Sequence, residues 1–263
     1  MHDPYDQAPA GARFGWGPVA GQRFGAVCAC VVVVDVLSFT TAVEISVERG
    51  MRIHPYQWHD ASGRPAESWA SDRGFALAVG RRGVGPDHPW SLSPDRLRTA
   101  PVVEDLVLPS PNGATLSTLA AAGGATVVAA CLRNAAAVGR WLRVRGYGRT
   151  DRPVAVVAAG ERWSDDGSLR PCVEDLLGAG AVLAALVPPD RPADPCSVEA
   201  AVARAAWLAV ADPSTALRDC ASGRELTRAG FAADVTVAAE VGAGDVVPVL
   251  RDGAFVRDGR SAN

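Results

Sequence analysis

The chemistry legible in this chain sits in a few polar residues, each placed just after an apolar run. Asp35 directly follows Cys30-Val31-Val32-Val33-Val34, with Ser38, Thr40 and Thr41 close behind. Ser110 and Asn112-Gly113, then Arg133-Asn134, then Gly160-Glu161 end three further apolar runs. Glu174 and Asp175 stand side by side at the start of a helical pattern from about Cys172 to Leu186. Acids in a first helical turn favour the macrodipole, which alone would put them there. They also suit a hard cation: Mg²⁺ takes one or two carboxylates, keeps waters and bridges to a substrate phosphate. Helix N-termini add free N–H groups, a ready anion site. Taken singly, Ser110, Asn112 and Asn134 read as caps or turn residues. Together, at one edge of a sheet, they point to a binding pocket.

The elements that must position these groups follow from periodicity. The valine run is short, β-branched and apolar, the pattern of a fully buried strand of a parallel sheet. The helical pattern after Thr41 stops at Gly50, a C-cap signal. A carboxylate at the carboxyl end of a core strand lies where open α/β sheets bind ligands. Strands are predicted at Arg52–Tyr56, Asp105–Pro109, Ala125–Cys131 and Pro153–Gly160, and closing strands at Asp234–Ala238 and Val246–Leu250. Helices are predicted from about Ala114 to Ala122, after Arg133-Asn134, and at 197–211, 213–220 and 222–229, with Pro188-Pro189 breaking the chain. The segment from Gln57 to Pro101 is expected to be irregular with a few short elements. Residues 1–25 are rich in Gly, Pro and Ala and are expected to be loose as far as about Phe14. The alternation implies one domain over 1–263: a three-layer α/β/α sandwich with a mostly parallel or mixed central sheet.

Composition excludes several alternatives. A chain of 263 residues buries roughly 70–75% of its surface. A net charge of −3 argues against a nucleic-acid partner. All 26 basic residues are arginine, so lysine Schiff-base chemistry and a P-loop lysine are ruled out. Cys28, Cys30, Cys131, Cys172, Cys196 and Cys220 form no C-x-x-C pair and read as buried reduced thiols, with Cys28 and Cys30 on one strand face. None of His2, His54, His59 and His88 follows a confident strand with a carboxylate partner nearby, and they read as surface or structural. Gly-x-Ser-x-Gly is absent. Leu37 stands where a haloacid-dehalogenase-type phosphatase would need its second acid. The N-terminus lacks a signal-peptide pattern and no apolar run spans a membrane, so a cytoplasmic protein without membrane contact is expected.

The ordered set Asp35-Val36-Leu37-x-x-Thr40-Thr41, Ser110-Pro111-Asn112-Gly113, Asn134-Ala135, Ala159-Gly160, Val173-Glu174-Asp175 and Ala179-Gly180 resembles the 2-phosphosulfolactate phosphatase (ComB) family. The similarity continues to Asp234-Val235 and Val247-Pro248, so it spans about 27–256. The resemblance implies a Mg²⁺-dependent phosphatase on an α/β/α fold of its own, acting on a small anionic phosphate monoester. Carried over by position, Asp35, Glu174 and Asp175 are the metal-binding and catalytic acids. Ser38, Thr40, Thr41, Ser110, Asn112, Gly113, Asn134, Gly160 and Glu161 line the substrate pocket, and Arg133 pairs with a substrate anion. A homodimer is compatible with this reading. Three stretches depart from the family pattern: Ser38 stands where arginine is usual, Gly80-Arg81-Arg82 where G-E-R is usual, and Trp90-Ser91-Leu92-Ser93-Pro94 where G-N-S-P is usual. The alternative reading is a divergent relative that binds an anionic metabolite without hydrolysing it.

Overall fold

The computed structural model describes residues 3–57, 63–188 and 196–259. His2, His59 and Pro189 lie outside them. β1 (Ala12–Trp16) leads into α1 (Gly17–Val27), followed by β2 (Cys30–Val34), α2 (Phe39–Glu48) and β3 (Arg52–Tyr56). Short elements come next: α3 (Ala66–Ser71), β4 (Ala76–Leu77) and α4 (Pro94–Leu97). Then β5 (Asp105–Pro109), α5 (Gly113–Ala122), β6 (Thr126–Ala130), α6 (Ala135–Val144) and β7 (Val154–Ala158) alternate. A small ribbon, β8 (Glu161–Arg162) with β9 (Leu169–Arg170), precedes α7 (Val173–Leu186). α8 (Val198–Ala209), α9 (Pro213–Asp219), α10 (Ala221–Arg228) and α11 (Ala232–Ala238) lead to the hairpin β10 (Pro248–Arg251) and β11 (Ala254–Arg257).

The main sheet has nine strands in the order β1-β7-β2-β6-β10-β11-β3-β5-β4. β1, β7, β2 and β6 are parallel, and so are β3, β5 and β4. The hairpin joins the two sets through antiparallel pairs, Val249 with Val128 and Phe255 with Ile53. Its turn, Asp252-Gly253, has positive φ at both residues, the geometry that matches strand twist.

β2 is buried along its whole length, as its valines require. Val31 and Val33 pack with Phe24, Phe39, Ile45 and Leu116 on one face of the sheet. Cys30, Val32 and Val34 pack with Leu142, Leu177, Val182 and Leu183 on the other. Each such side chain contributes roughly 1.5–3 kcal/mol on burial. Helices on both faces complete the three layers. Among the described residues no helix is long and apolar enough to cross a membrane.

Four expectations are corrected. The N-terminal segment is not loose up to Phe14: β1 pairs with β7 from Ala12–Val154 to Trp16–Ala158. Arg13 anchors it by donating to the carbonyls of Ala10 and Asp6. A Gly/Ala-rich stretch has weak strand propensity, but the open edge of β7 supplies the partner. Asp234–Ala238 is not a closing strand; it forms α11, burying Val235, Val237 and Ala238. Its alternating valines mimic a strand, and packing against α4 and α10 overrides that preference. Cys28 ends α1 rather than lying in β2, so its thiol and that of Cys30 sit in opposite layers. Finally, pairing makes β5 run opposite to β2, so the turns after them do not meet through parallel sense. The turn after β5 nonetheless reaches Asp35, whose Oδ2 accepts the Gly113 N–H at 2.9 Å.

Candidate active site

Asp35 leaves the end of β2 and faces inward. Its Oδ1 accepts the Phe39 N–H at 3.2 Å, and its Oδ2 accepts the Gly113 N–H at 2.9 Å. Position 113 must be glycine: a Cβ there would lie 2.3 Å from Phe39 Cδ1 and 2.8 Å from Asp35 Oδ2. Asp175, in the first turn of α7, is held the same way. Its Oδ1 accepts the Val36 N–H at 2.7 Å and its Oδ2 the Gly160 N–H at 2.9 Å. Gly160 has φ +65°, and a Cβ would press on Arg170 O at 2.9 Å. Two carboxylates are thus clamped by four backbone amides from three strand ends.

Glu174 is buried and lines the same cavity, as does Glu161. Glu161 Oε1 accepts Asn112 Nδ2 at 2.9 Å and the Arg162 N–H at 2.8 Å. The cavity has a volume near 570 Å³, within the range of small-ligand sites. Asp35, Ser38, Ser110, Asn112, Gly160, Glu161, Glu174 and Asp175 all line it. Burial pushes the Asp35 carboxyl up to about 7, with the Glu161 and Glu174 charges adding to the rise and the Phe39 and Gly113 amides opposing it. Burial also raises Asp175 well above the usual range, reinforced by Asp35 and Glu174 and opposed by the Val36 and Gly160 amides.

The remaining expected residues do not face the cavity. Thr40 Oγ1 donates to Asp35 O at 2.8 Å, and Thr41 Oγ1 donates to Val36 O at 2.8 Å. Both hydroxyls hold the turn that aims Asp35. Gly113 acts through its N–H alone. Asn134 Oδ1 accepts the Cys131 N–H, and its Nδ2 donates to Ala129 O and Val246 O. Arg133 is buried against Glu44, with Nε donating at 2.7 Å, and also pairs with Glu240. A guanidinium so engaged does not meet a substrate. Arg81, Arg82 and Arg170 also line the cavity. In the sequence Arg81 and Arg82 stand out only as a departure from the G-E-R pattern, and nothing local marks Arg170, because their segments carry no strand-end signal.

Carboxylates are hard oxygen donors, and Asp35, Glu161, Glu174 and Asp175 offer them at one cavity. Among the described residues no three His, Cys, Asp or Glu side chains form a group that could hold a metal ion by themselves. Mg²⁺ needs only one or two protein carboxylates with waters and phosphate oxygens, so the donor set fits it. The raised Asp35 and Asp175 carboxyls fit it too, because a cation relieves their mutual repulsion.

Fold and site define an α/β protein with an acidic cavity beyond the ends of β2, β5 and β7, and its relatives place it among the phosphoric monoester hydrolases. A family model described as 2-phosphosulpholactate phosphatase matches residues 21–253. A "Probable 2-phosphosulfolactate phosphatase" from Symbiobacterium thermophilum (strain DSM 24528 / JCM 14929 / IAM 14863 / T) is 31% identical over 228 residues, covering 86% of this chain and 92% of the relative. The chain belongs to the 2-phosphosulfolactate phosphatase family.

Proposed function

We propose that this protein hydrolyses 2-phosphosulfolactate, or a closely related small phosphate monoester, in the Asp35 cavity with the aid of Mg²⁺. The supporting observation is the double clamp. Asp35 and Asp175 each accept two backbone N–H groups, while Glu161 and Glu174 bring further negative charge beside them. One or two of Asp35, Glu174 and Asp175 would hold the ion, with waters and phosphate oxygens completing its shell and Glu161 lining the same cavity. Bound there, Mg²⁺ would neutralise charge on the phosphoryl group.

The chain's own groups do the rest. Asp35, its oxygens fixed by two amides, would take a proton from water as that water bonds to phosphorus and the ester P–O bond breaks, the leaving oxygen taking up a proton; or it would bond to phosphorus itself with the same leaving group, and water would then hydrolyse the acyl phosphate. The clamping amides hold its oxygens in one orientation throughout, and Asn112 keeps Glu161 turned toward the same space.

The test is phosphate release from 2-phosphosulfolactate and p-nitrophenyl phosphate, with and without Mg²⁺, for wild type and Asp35→Ala. A Mg²⁺-dependent wild-type rate that the substitution lowers about 10²- to 10⁴-fold supports the reading. An unchanged rate removes Asp35 from the chemistry. A second reading, a non-hydrolysing binder of an anionic metabolite, draws on the altered 80–94 region, where Arg81 and Leu92 stand in place of the glutamate of G-E-R and the asparagine of G-N-S-P. Binding of sulfolactate with no phosphate release from any ester would favour it.

A further inference from the structure

One part of the cavity lining takes no part in the hydrolysis itself. Gly80-Arg81-Arg82, in the long connection between β4 and α4, brings two guanidinium groups to the lining that also holds Asp35, Ser38 and Glu174. Arg81 is fixed in place. Its Nε donates to Asp234 Oδ2 at 2.9 Å, and its Nη2 donates to Ser38 Oγ at 2.6 Å and Leu92 O at 3.2 Å. Its guanidinium carbon lies 5.5 Å from the centre of the Phe231 ring. The other oxygen of Asp234 accepts Ser93 Oγ and the Asp95 N–H. Asp234 is 1% exposed, so this ion pair is shielded and its geometry is held firmly.

Two donor sets remain. Nη1 of Arg81 has no hydrogen-bond partner among the described residues. Arg82 is exposed and has no ion-pair partner among the described residues. Arg81 supplies direction, and Arg82 supplies an uncompensated positive charge. Forked guanidinium donors match the planar oxygens of a carboxylate and the oxygens of a sulfonate. The acids of the cavity cannot bind such a group directly, since like charges repel.

Resting on the hydrolase reading, we propose that Arg81 and Arg82 form a second anion subsite, which binds the carboxylate or sulfonate that is not transferred. Asp234 is a positioning residue that aims Arg81. Arg81 and Arg82 are thereby the residues that favour such an ester over one without a second oxyanion.

The experiment compares kcat/KM on 2-phosphosulfolactate with kcat/KM on p-nitrophenyl phosphate, which has no second oxyanion. Arg81→Gln lowers the first value about ten- to a hundredfold, and by at least ten times more than the second. Asp234→Asn shifts the same ratio through KM rather than kcat, and Arg81→Lys restores part of it. Equal losses on both esters, or none, overturn the subsite. Arg82→Gln, at an exposed position, gives a shift in the same direction even if Arg81→Gln fails to fold.

Calorimetric titration with 3-sulfolactate tests binding without turnover. At least tenfold weaker binding by Arg81→Gln than by wild type supports the subsite; equal affinity, or no binding by wild type, overturns it. Should wild type hydrolyse neither ester while sulfolactate binding still depends on Arg81, the hydrolase reading fails and the subsite stands. Should it hydrolyse both esters with a selectivity that Arg81→Gln leaves unchanged, the hydrolase reading stands and the subsite fails.

Discussion

Two buried charge clusters lie one strand apart in this molecule, and they are built on opposite plans. Around Arg133, after β6, the charges are compensated within the protein: Glu44 accepts its Nε at 2.7 Å, Glu240 bonds it as well, and Arg98 reaches Glu240 too. Around Asp35, after β2, five carboxylates line a cavity, and the clamping partners of Asp35 and Asp175 are neutral amides. Only the second plan leaves net charge in a concave space, which an incoming cation or a proton can occupy. The contrast separates a structural ion network from a site, although the residues on either side look alike in sequence.

The largest expected effect that would break this contrast is on turnover. Asp35→Ala should lower phosphate release about 10²- to 10⁴-fold with a melting temperature near that of wild type. Arg133→Met should do the reverse. It leaves Glu44, whose Oε1 already lacks a partner, as an uncompensated buried charge. A loss of about 3–5 kcal/mol in urea unfolding is expected, with kcat/KM of the folded fraction preserved. Adding Glu44→Met to it should recover most of that loss. A catalytic defect in Arg133→Met at full stability would undo the division between the clusters.

Smaller effects sharpen it. Gly113→Ala places a Cβ against Phe39 and Asp35 Oδ2 and withdraws the amide from the carboxylate. About a 10²-fold fall in kcat is expected from the displaced Asp35. The smallest effect concerns pH. Asp35 titrates near 7 in the folded chain against the usual 3.8, so between these values the folded state binds more protons than the unfolded. Stability without divalent ions must then fall as pH rises from about 4 to about 7. Glu174 adds to the upward shift of both Asp35 and Asp175, so Glu174→Gln should flatten the slope and raise stability at pH 8. Denaturant midpoints at pH 5 and pH 8 in EDTA measure it, and a wild-type protein equally stable at both would contradict the assignment.

The legible parts of the site are those with local causes. Four valines fit a strand buried on both faces, and an acid directly after them must emerge at its end. Acids in the first turn of α7 follow from the macrodipole and the free amides there. Thr40 and Thr41 mislead because a hydroxyl near a helix start serves a ligand or its own backbone equally well in sequence. Arg133 misleads because its partners, Glu44 and Glu240, lie far along the chain in both directions. Asp234 reads as part of a strand because alternating valines carry the same period whether or not a partner strand exists.

By itself the sequence determined the layered α/β architecture, the strand ends, and the acids at 35, 174 and 175, because period, burial and capping are set by neighbours a few residues away. Only the tertiary structure decided which arginines face the cavity, and that the turn after β5 closes on Asp35 although its strand runs the other way. Those outcomes depend on pairs separated by many residues, such as Gly113 with Asp35 and Arg81 with Asp234. Local free energies do not encode such pairings; they emerge only when whole layers pack.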